Sequence, residues 1–136
     1  MEALLSRDEF KRAVFARSRG TCVFCSRAAV DPHHILERKL YPDTGGSFLS
    51  NGAAVCAEHH WDCETTTLSV AEVRAAAGIT APALPPGLAP QHDYDKWGNR
   101  LRPDGLREPG PLFADTGARR ALAAGGKLGL FVPKGA

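Results

Sequence analysis

Five histidines and four cysteines carry most of the chemistry open to this chain of 136 residues, and they are clustered. Four of the histidines form two adjacent pairs, His33-His34 and His59-His60, with Asn51 between them in the sequence. Phosphodiester hydrolysis needs a base to activate water, a cation to stabilise charge on the phosphate and leaving oxygen, and a group that orients the base. Imidazole can be that base near neutral pH. Two imidazoles can ligate an incompletely coordinated ion, and an asparagine oxygen can orient a ring by accepting from its other N–H. Asp31-Pro32-His33-His34-Ile35, Asn51 and His60 contain that set. The competing expectation is that His33 and His34 are further ligands of a structural metal, with no catalysis. Adjacent residues of a strand face opposite sides, so both members of a pair share a site only at a distorted strand end, which Pro32 suggests.

Cys22-x-x-Cys25 and Cys56-x-x-His59 give a second constellation. Two intervening residues let one turn, or the first turn of a helix, aim two ligands at one ion, and Cys3His is a common tetrahedral zinc set. Such a zinc would pin both ends of the segment between the pairs, and in zinc-finger peptides binding contributes roughly 10–16 kcal/mol. The alternative is that these three cysteines are buried apolar thiols. Cys63 could contest the fourth position, but its gap from Cys56 is less usual, so His59 is expected at the zinc and Cys63 in the core.

The elements that must position these residues follow from pattern. Ser6-Arg7-Asp8-Glu9 reads as a capping box opening a helix over about 7–18, with Phe10, Val14 and Phe15 on one face and Gly20 as a stop. A strand is expected within Ala28–Leu36, with Pro32 placing it at an edge or bulge. Tyr41 to Gly46 is a loop, and Phe48–Val55 holds a short return strand. A helix follows from Cys56 to about Glu64. Ser69-Val70-Ala71-Glu72 is a second capping box, whose helix runs through Ala77 and stops at Gly78. Residues 79–112 are rich in Pro and Gly without periodicity, as expected of a wrapped arm or a partly disordered one. A short helix over Asp115–Ala124 and a short strand over Lys127–Val132 end the chain. Tyr94 and Trp97 are expected to anchor the arm, with stacking on an unpaired base as the alternative, and His92 is expected to be a surface loop residue.

The hydrophobic fraction of 43% allows a modest core, and the net charge of +2 does not by itself announce a nucleic-acid binder. Met1 to Arg12 lacks a signal-peptide apolar stretch and no run approaches a membrane span, so a cytoplasmic protein with reduced thiols is expected, where cysteine clusters more often mean metal than disulfide. Lys11, Arg12, Arg17, Arg19 and Arg27 precede the histidines, Arg38-Lys39 follow them, and Lys96, Arg100, Arg102, Arg107, Arg119 and Arg120 lie in the tail.

Taken together, Cys22-x-x-Cys25, Asp31-x-His33-His34-Ile35, Asn51 and Cys56-x-x-His59-His60 resemble the HNH endonucleases, over about residues 20 to 65. The resemblance implies an α+β fold: a small ββα-metal (HNH) core stapled by a structural zinc, with flanking helices. Residues 1–78 would form the nuclease domain with its zinc knuckle, and residues 79–136 a Pro/Gly-rich C-terminal extension. By position, His33 matches the first metal ligand, His34 the general base, Asn51 the residue that holds the loop and the base, and His60 the last metal ligand. Cys22, Cys25, Cys56 and His59 match the zinc ligands. The chain departs from the commoner pattern in having His59 rather than Cys at the fourth zinc position. Glu64 stands where some members carry a further His; it is read as a solvated helix residue, with contact to the metal or a bound water as the alternative.

The expected cofactors are therefore a structural Zn²⁺ and a catalytic Mg²⁺ or Mn²⁺ on His33 and His60. The expected partner is nucleic acid, DNA ahead of RNA, with Arg27, Arg38 and Lys39 meeting phosphate and a monomer slightly favoured over an oligomer. The alternative function is a non-catalytic zinc-binding module for nucleic acid or a protein partner.

Overall fold

The computed structural model describes residues 2–133. Among them the chain forms four α-helices and two small antiparallel sheets, an α+β arrangement. Helix α1 (Arg7–Arg17) starts on the expected capping box: Ser6 Oγ accepts from Glu9 N–H, and the Glu9 carboxylate accepts from Ser6 N–H at 2.8 Å. Phe10 and Val14, one turn apart, are its buried residues.

Strands β1 (Asp31–His34) and β2 (Gly52–Val55) pair with Asp31 opposite Val55, Pro32 opposite Ala54, His33 opposite Ala53 and His34 opposite Gly52. Ile35 N–H donates to Asn51 O at 2.9 Å, which fixes the alternation of the ladder. Pro32 then falls in a non-hydrogen-bonded pair, where its missing N–H costs no ladder bond. Ala54 O points away from β1 and accepts instead from Val23 N–H at 3.0 Å, hooking the Cys22–Cys25 turn onto the outer edge of β2.

Every residue of β2 is buried, and three of the four are Gly or Ala. Helices approach this strand from both sides, and small side chains let them. Ala54 packs with Phe10 and Val14 of α1, while Ala53 and Val55 face the larger core. A Cβ at Gly52 would overlap Val14 and Phe10, so α1 can lie on this face only over glycine.

Helix α2 (Ala57–Glu64) is capped by the Cys56 side chain, and α3 (Val70–Ala77) by Ser69 in its capping box. Gly78 ends α3 in the left-handed conformation, φ 74°, as its position predicted. Between the sheet and these helices lies the main core, built from Ile35, Leu36, Val55, Cys63, Val70 and Val73, with Leu88 and Tyr94 from the extension.

The stretch 79–112, for which disorder was one expectation, follows an ordered path. Tyr41 Oη donates to Ala83 O at 2.7 Å, Val70 N–H to Tyr94 O at 2.9 Å, and Glu37 N–H to Lys96 O at 2.9 Å. A second, two-residue ladder pairs β3 (Arg100–Leu101) with β4 (Arg107–Glu108). Such a path has no period because bonds made one at a time specify it, not one repeated face.

Helix α4 (Thr116–Ala124) begins at its Asp115 cap and buries Ala118 and Leu122 against Trp97. The strand expected over Lys127–Val132 does not form. Leu128–Leu130 is a 3-10 turn, and one parallel bridge, Arg107 to Phe131, is the pairing present. Strand β4 offers only two residues of edge, too little to template a longer strand.

Candidate metal centres and the site between them

Cys22, Cys25, Cys56 and His59 bring their ligand atoms within 4.8 Å of one another. Cys25 Sγ lies 3.8 Å from Cys56 Sγ, and His59 Nδ1 lies 3.6 Å from Cys22 Sγ and 3.3 Å from Cys56 Sγ. A tetrahedron with zinc–sulfur bonds of about 2.3 Å and a zinc–nitrogen bond of about 2.0 Å has edges of roughly 3.8 Å (S–S) and 3.5 Å (S–N). The separations fit such an ion, so the cluster could bind a structural metal such as zinc. Phe24 N–H donates to Cys22 Sγ at 3.4 Å and His59 N–H to Cys56 Sγ at 3.5 Å, which favours the thiolates a metal needs. The His59 amide holds the Cys56 thiol below its ordinary pKa against the effect of burial. Cys63 is excluded from this group. Its side chain turns into the main core, where burial, then the charge of Glu64, pushes its thiol up to about 12.

A second group forms from His33, His60 and Glu64. Asp31 and His33 are two apart on β1 and share a face, and α2 lies on it. The rings of His33 and His60 meet edge to face at 5.1 Å. His60 Nδ1 lies 3.0 Å from Asp31 Oδ2 and its Nε2 lies 3.1 Å from Glu64 Oε1. Glu64 thus joins the cluster, the alternative reading for this position, and does not stand free in solvent: it sits one helical turn past His60, on the same face. The bond to Glu64 foremost, and that to Asp31, raise the His60 pKa against burial. The buried His33 is held well below its ordinary pKa by burial, then by the charges of Lys96 and His60.

His33 Nδ1 is buried and has no hydrogen-bond partner. An orphaned imidazole nitrogen is costly unless something binds it. With a second imidazole and a carboxylate, the His33 ring gives a mixed N/O donor set that could hold a divalent cation.

The pleat of β1 turns His34 to the other face. Its ring stacks on Phe10 of α1, centroids 4.3 Å apart and planes at 13°, and its Nε2 lies 3.3 Å from Ser47 Oγ. Burial first, then the charges of Lys96 and Arg38, lower its pKa to about 4. Asn51 does not touch this ring, contrary to the orienting role read from the sequence. Its Oδ1 accepts from Leu36 N–H at 2.9 Å, and its Nδ2 donates to Leu36 O at 3.1 Å and Gly46 O at 3.0 Å. Asn51 thereby ties the end of β1 to the loop that delivers Ser47.

The three cations expected to meet phosphate differ. Arg27 pairs with Glu58 at 2.6 Å and Lys39 with Asp115 at 2.8 Å, whereas Arg38 is exposed and makes no ion pair among the described residues. Tyr94 and Trp97 are buried anchors: Ala89 N–H donates to Tyr94 Oη at 2.8 Å, and Trp97 Nε1 donates to Glu64 O at 3.1 Å. Asp31, Ser47 and Lys96 are the members of this neighbourhood to which no role was assigned from sequence pattern. The i,i+2 spacing of Asp31 and His33 on a strand was the one signal that pointed to any of them.

No protein-family model, curated protein or solved structure matches this chain.

Proposed function

We propose that this chain is a metal-dependent endonuclease of the HNH type that hydrolyses phosphodiester bonds in DNA, one strand at a time. The observation that carries this reading is the convergence of His33, His60 and Glu64 on one face of β1, with an unpartnered nitrogen on His33 and with His34, the next residue, on the opposite face. His33, His60 and Glu64 would hold Mg²⁺ or Mn²⁺, which when bound neutralises charge on the phosphate and the departing 3′ oxygen. His34 stays unprotonated at neutral pH and accepts the proton of the attacking water. The stack on Phe10 and the contact with Ser47 Oγ fix its ring. Asp31 holds Nδ1 of His60, so that Nε2 is the nitrogen presented to the cation. Arg38 meets the phosphate backbone directly, while Arg27 and Lys39 exchange their carboxylate partners, Glu58 and Asp115, for it. The Cys22/Cys25/Cys56/His59 zinc keeps β2 and α2 in register.

Nicking of supercoiled plasmid with Mg²⁺ or Mn²⁺ tests the reading, alongside linear DNA, single-stranded DNA and RNA. Wild type should yield open circles, and His34→Ala should lose about 10²–10⁴ of the rate. Equal rates in the two would remove His34 as the base. Tightly bound zinc without cleavage of any nucleic acid would leave the chain as a binding module.

A further inference from the structure

Lys96 belongs to the extension, yet its ammonium reaches into the corner where the candidate cation ligands meet. Only 5% of the residue is exposed. Its Nζ lies 3.0 Å from Glu37 Oε2, 3.6 Å from Glu64 Oε2 and 3.3 Å from His34 O, and 5.2 Å from the Trp97 ring centroid. Three segments are joined there: the end of β1, the turn after it, and the last residue of α2. Neighbouring bonds hold the ammonium in place. Lys96 O accepts from Glu37 N–H, Trp97 Nε1 donates to Glu64 O, and the buried Asp95 accepts from the amides of Trp97 and Asn99 and pairs with Arg107.

The two Glu64 oxygens are therefore divided. Oε1 faces His60 within the cation cluster, and Oε2 faces Lys96. A carboxylate with one oxygen held from behind presents the other in a single orientation, as an outer partner of a metal ligand does. The charge of Lys96 is shared with Glu37, which weakens the repulsion between the ammonium and a cation at the cluster.

We propose that Lys96 is a positioning residue of the divalent-cation site, holding Glu64 in the orientation that meets His60 and His33. This role rests on reading that cluster as a cation site. It also makes the extension part of the site and not an appendage to it.

Calorimetric titration of the full zinc-loaded chain with MnCl₂, without nucleic acid, tests it. Lys96→Met should weaken Mn²⁺ binding about tenfold or more, the loss typical of an outer partner, and Lys96→Arg should restore most of it. In a Glu64→Gln background Lys96→Met should add no further loss. Unchanged or tighter Mn²⁺ binding by Lys96→Met, or an equal loss in the Glu64→Gln background, would overturn the role. Zinc content and the thermal melt report folding, and Lys96→Gln replaces Lys96→Met if the latter does not fold, read by the same criteria. Wild type that binds no Mn²⁺ would overturn the cation site and this role together. Wild type that binds Mn²⁺ but cleaves nothing would overturn the nuclease alone.

Discussion

Adjacent histidines on β1 meet different surroundings: His33 faces another imidazole and a carboxylate, and His34 faces an aromatic ring. For His34 the consequence is a pH dependence with a definite sign. Its folded pKa, about 4, lies below the ordinary 6.5, so the unfolded chain binds the extra proton first as pH falls. The stabilisation is complete above the ordinary pKa and is lost as pH drops through the window down to about 4. Urea midpoints of wild type and His34→Gln should therefore converge as pH falls from 7 towards 4.5, by at most about 1.4 kcal/mol per pH unit. Parallel curves would mean that the ring is solvated and not buried against Phe10. The comparison between variants cancels acid release of zinc, which both proteins share.

Helix α2 connects the two candidate metal clusters. Its cap, Cys56, and the next-turn residue His59 face the four-ligand group, while His60 and Glu64, one step further round, face β1. One residue of helical advance is a rotation of about 100°, which is how adjacent histidines come to face different clusters. With the knuckle hooked to β2 through Val23, loss of its ion should release both the start of α2 and the edge of the sheet. Chelation by 1,10-phenanthroline should therefore lower the melting temperature sharply and abolish Mn²⁺ binding at the other cluster, although none of the second cluster's ligands is removed. A chelated protein with an unchanged melt would show that the four side chains hold no structural ion.

At the scale of the whole molecule, the extension completes what the first part of the chain starts. It contributes Leu88 and Tyr94 to the main core and builds a smaller one around Trp97, Ala118 and Leu122. Its loop is organised by Arg107, which donates to Thr66 Oγ1 at 2.7 Å and to Asp95 Oδ2 at 3.0 Å, all three residues being buried. Replacing Arg107 by Met would leave the Asp95 carboxylate buried without its cation, a loss of about 3–5 kcal/mol. Urea denaturation of Arg107→Met should show it, and a change within 0.5 kcal/mol, about the scatter of surface substitutions, would mean that the loop does not depend on the pair. No helix among the described residues is long and apolar enough to cross a membrane.

The sequence by itself determined the local features: the capping boxes at Ser6 and Ser69, the stop at Gly78, and the Cys/His set, Cys22-x-x-Cys25 with Cys56-x-x-His59. Each depends on residues a few positions apart, where backbone geometry alone sets the distance. The tertiary structure decided what depends on residues far apart in the chain. It set His34 against Phe10, gave Asn51 the backbone of Leu36 instead of an imidazole, brought His33 and Asp31 to His60, and brought Lys96 from the extension to meet Glu64. Those contacts arise where separate segments happen to cross, and no spacing along the chain encodes a crossing.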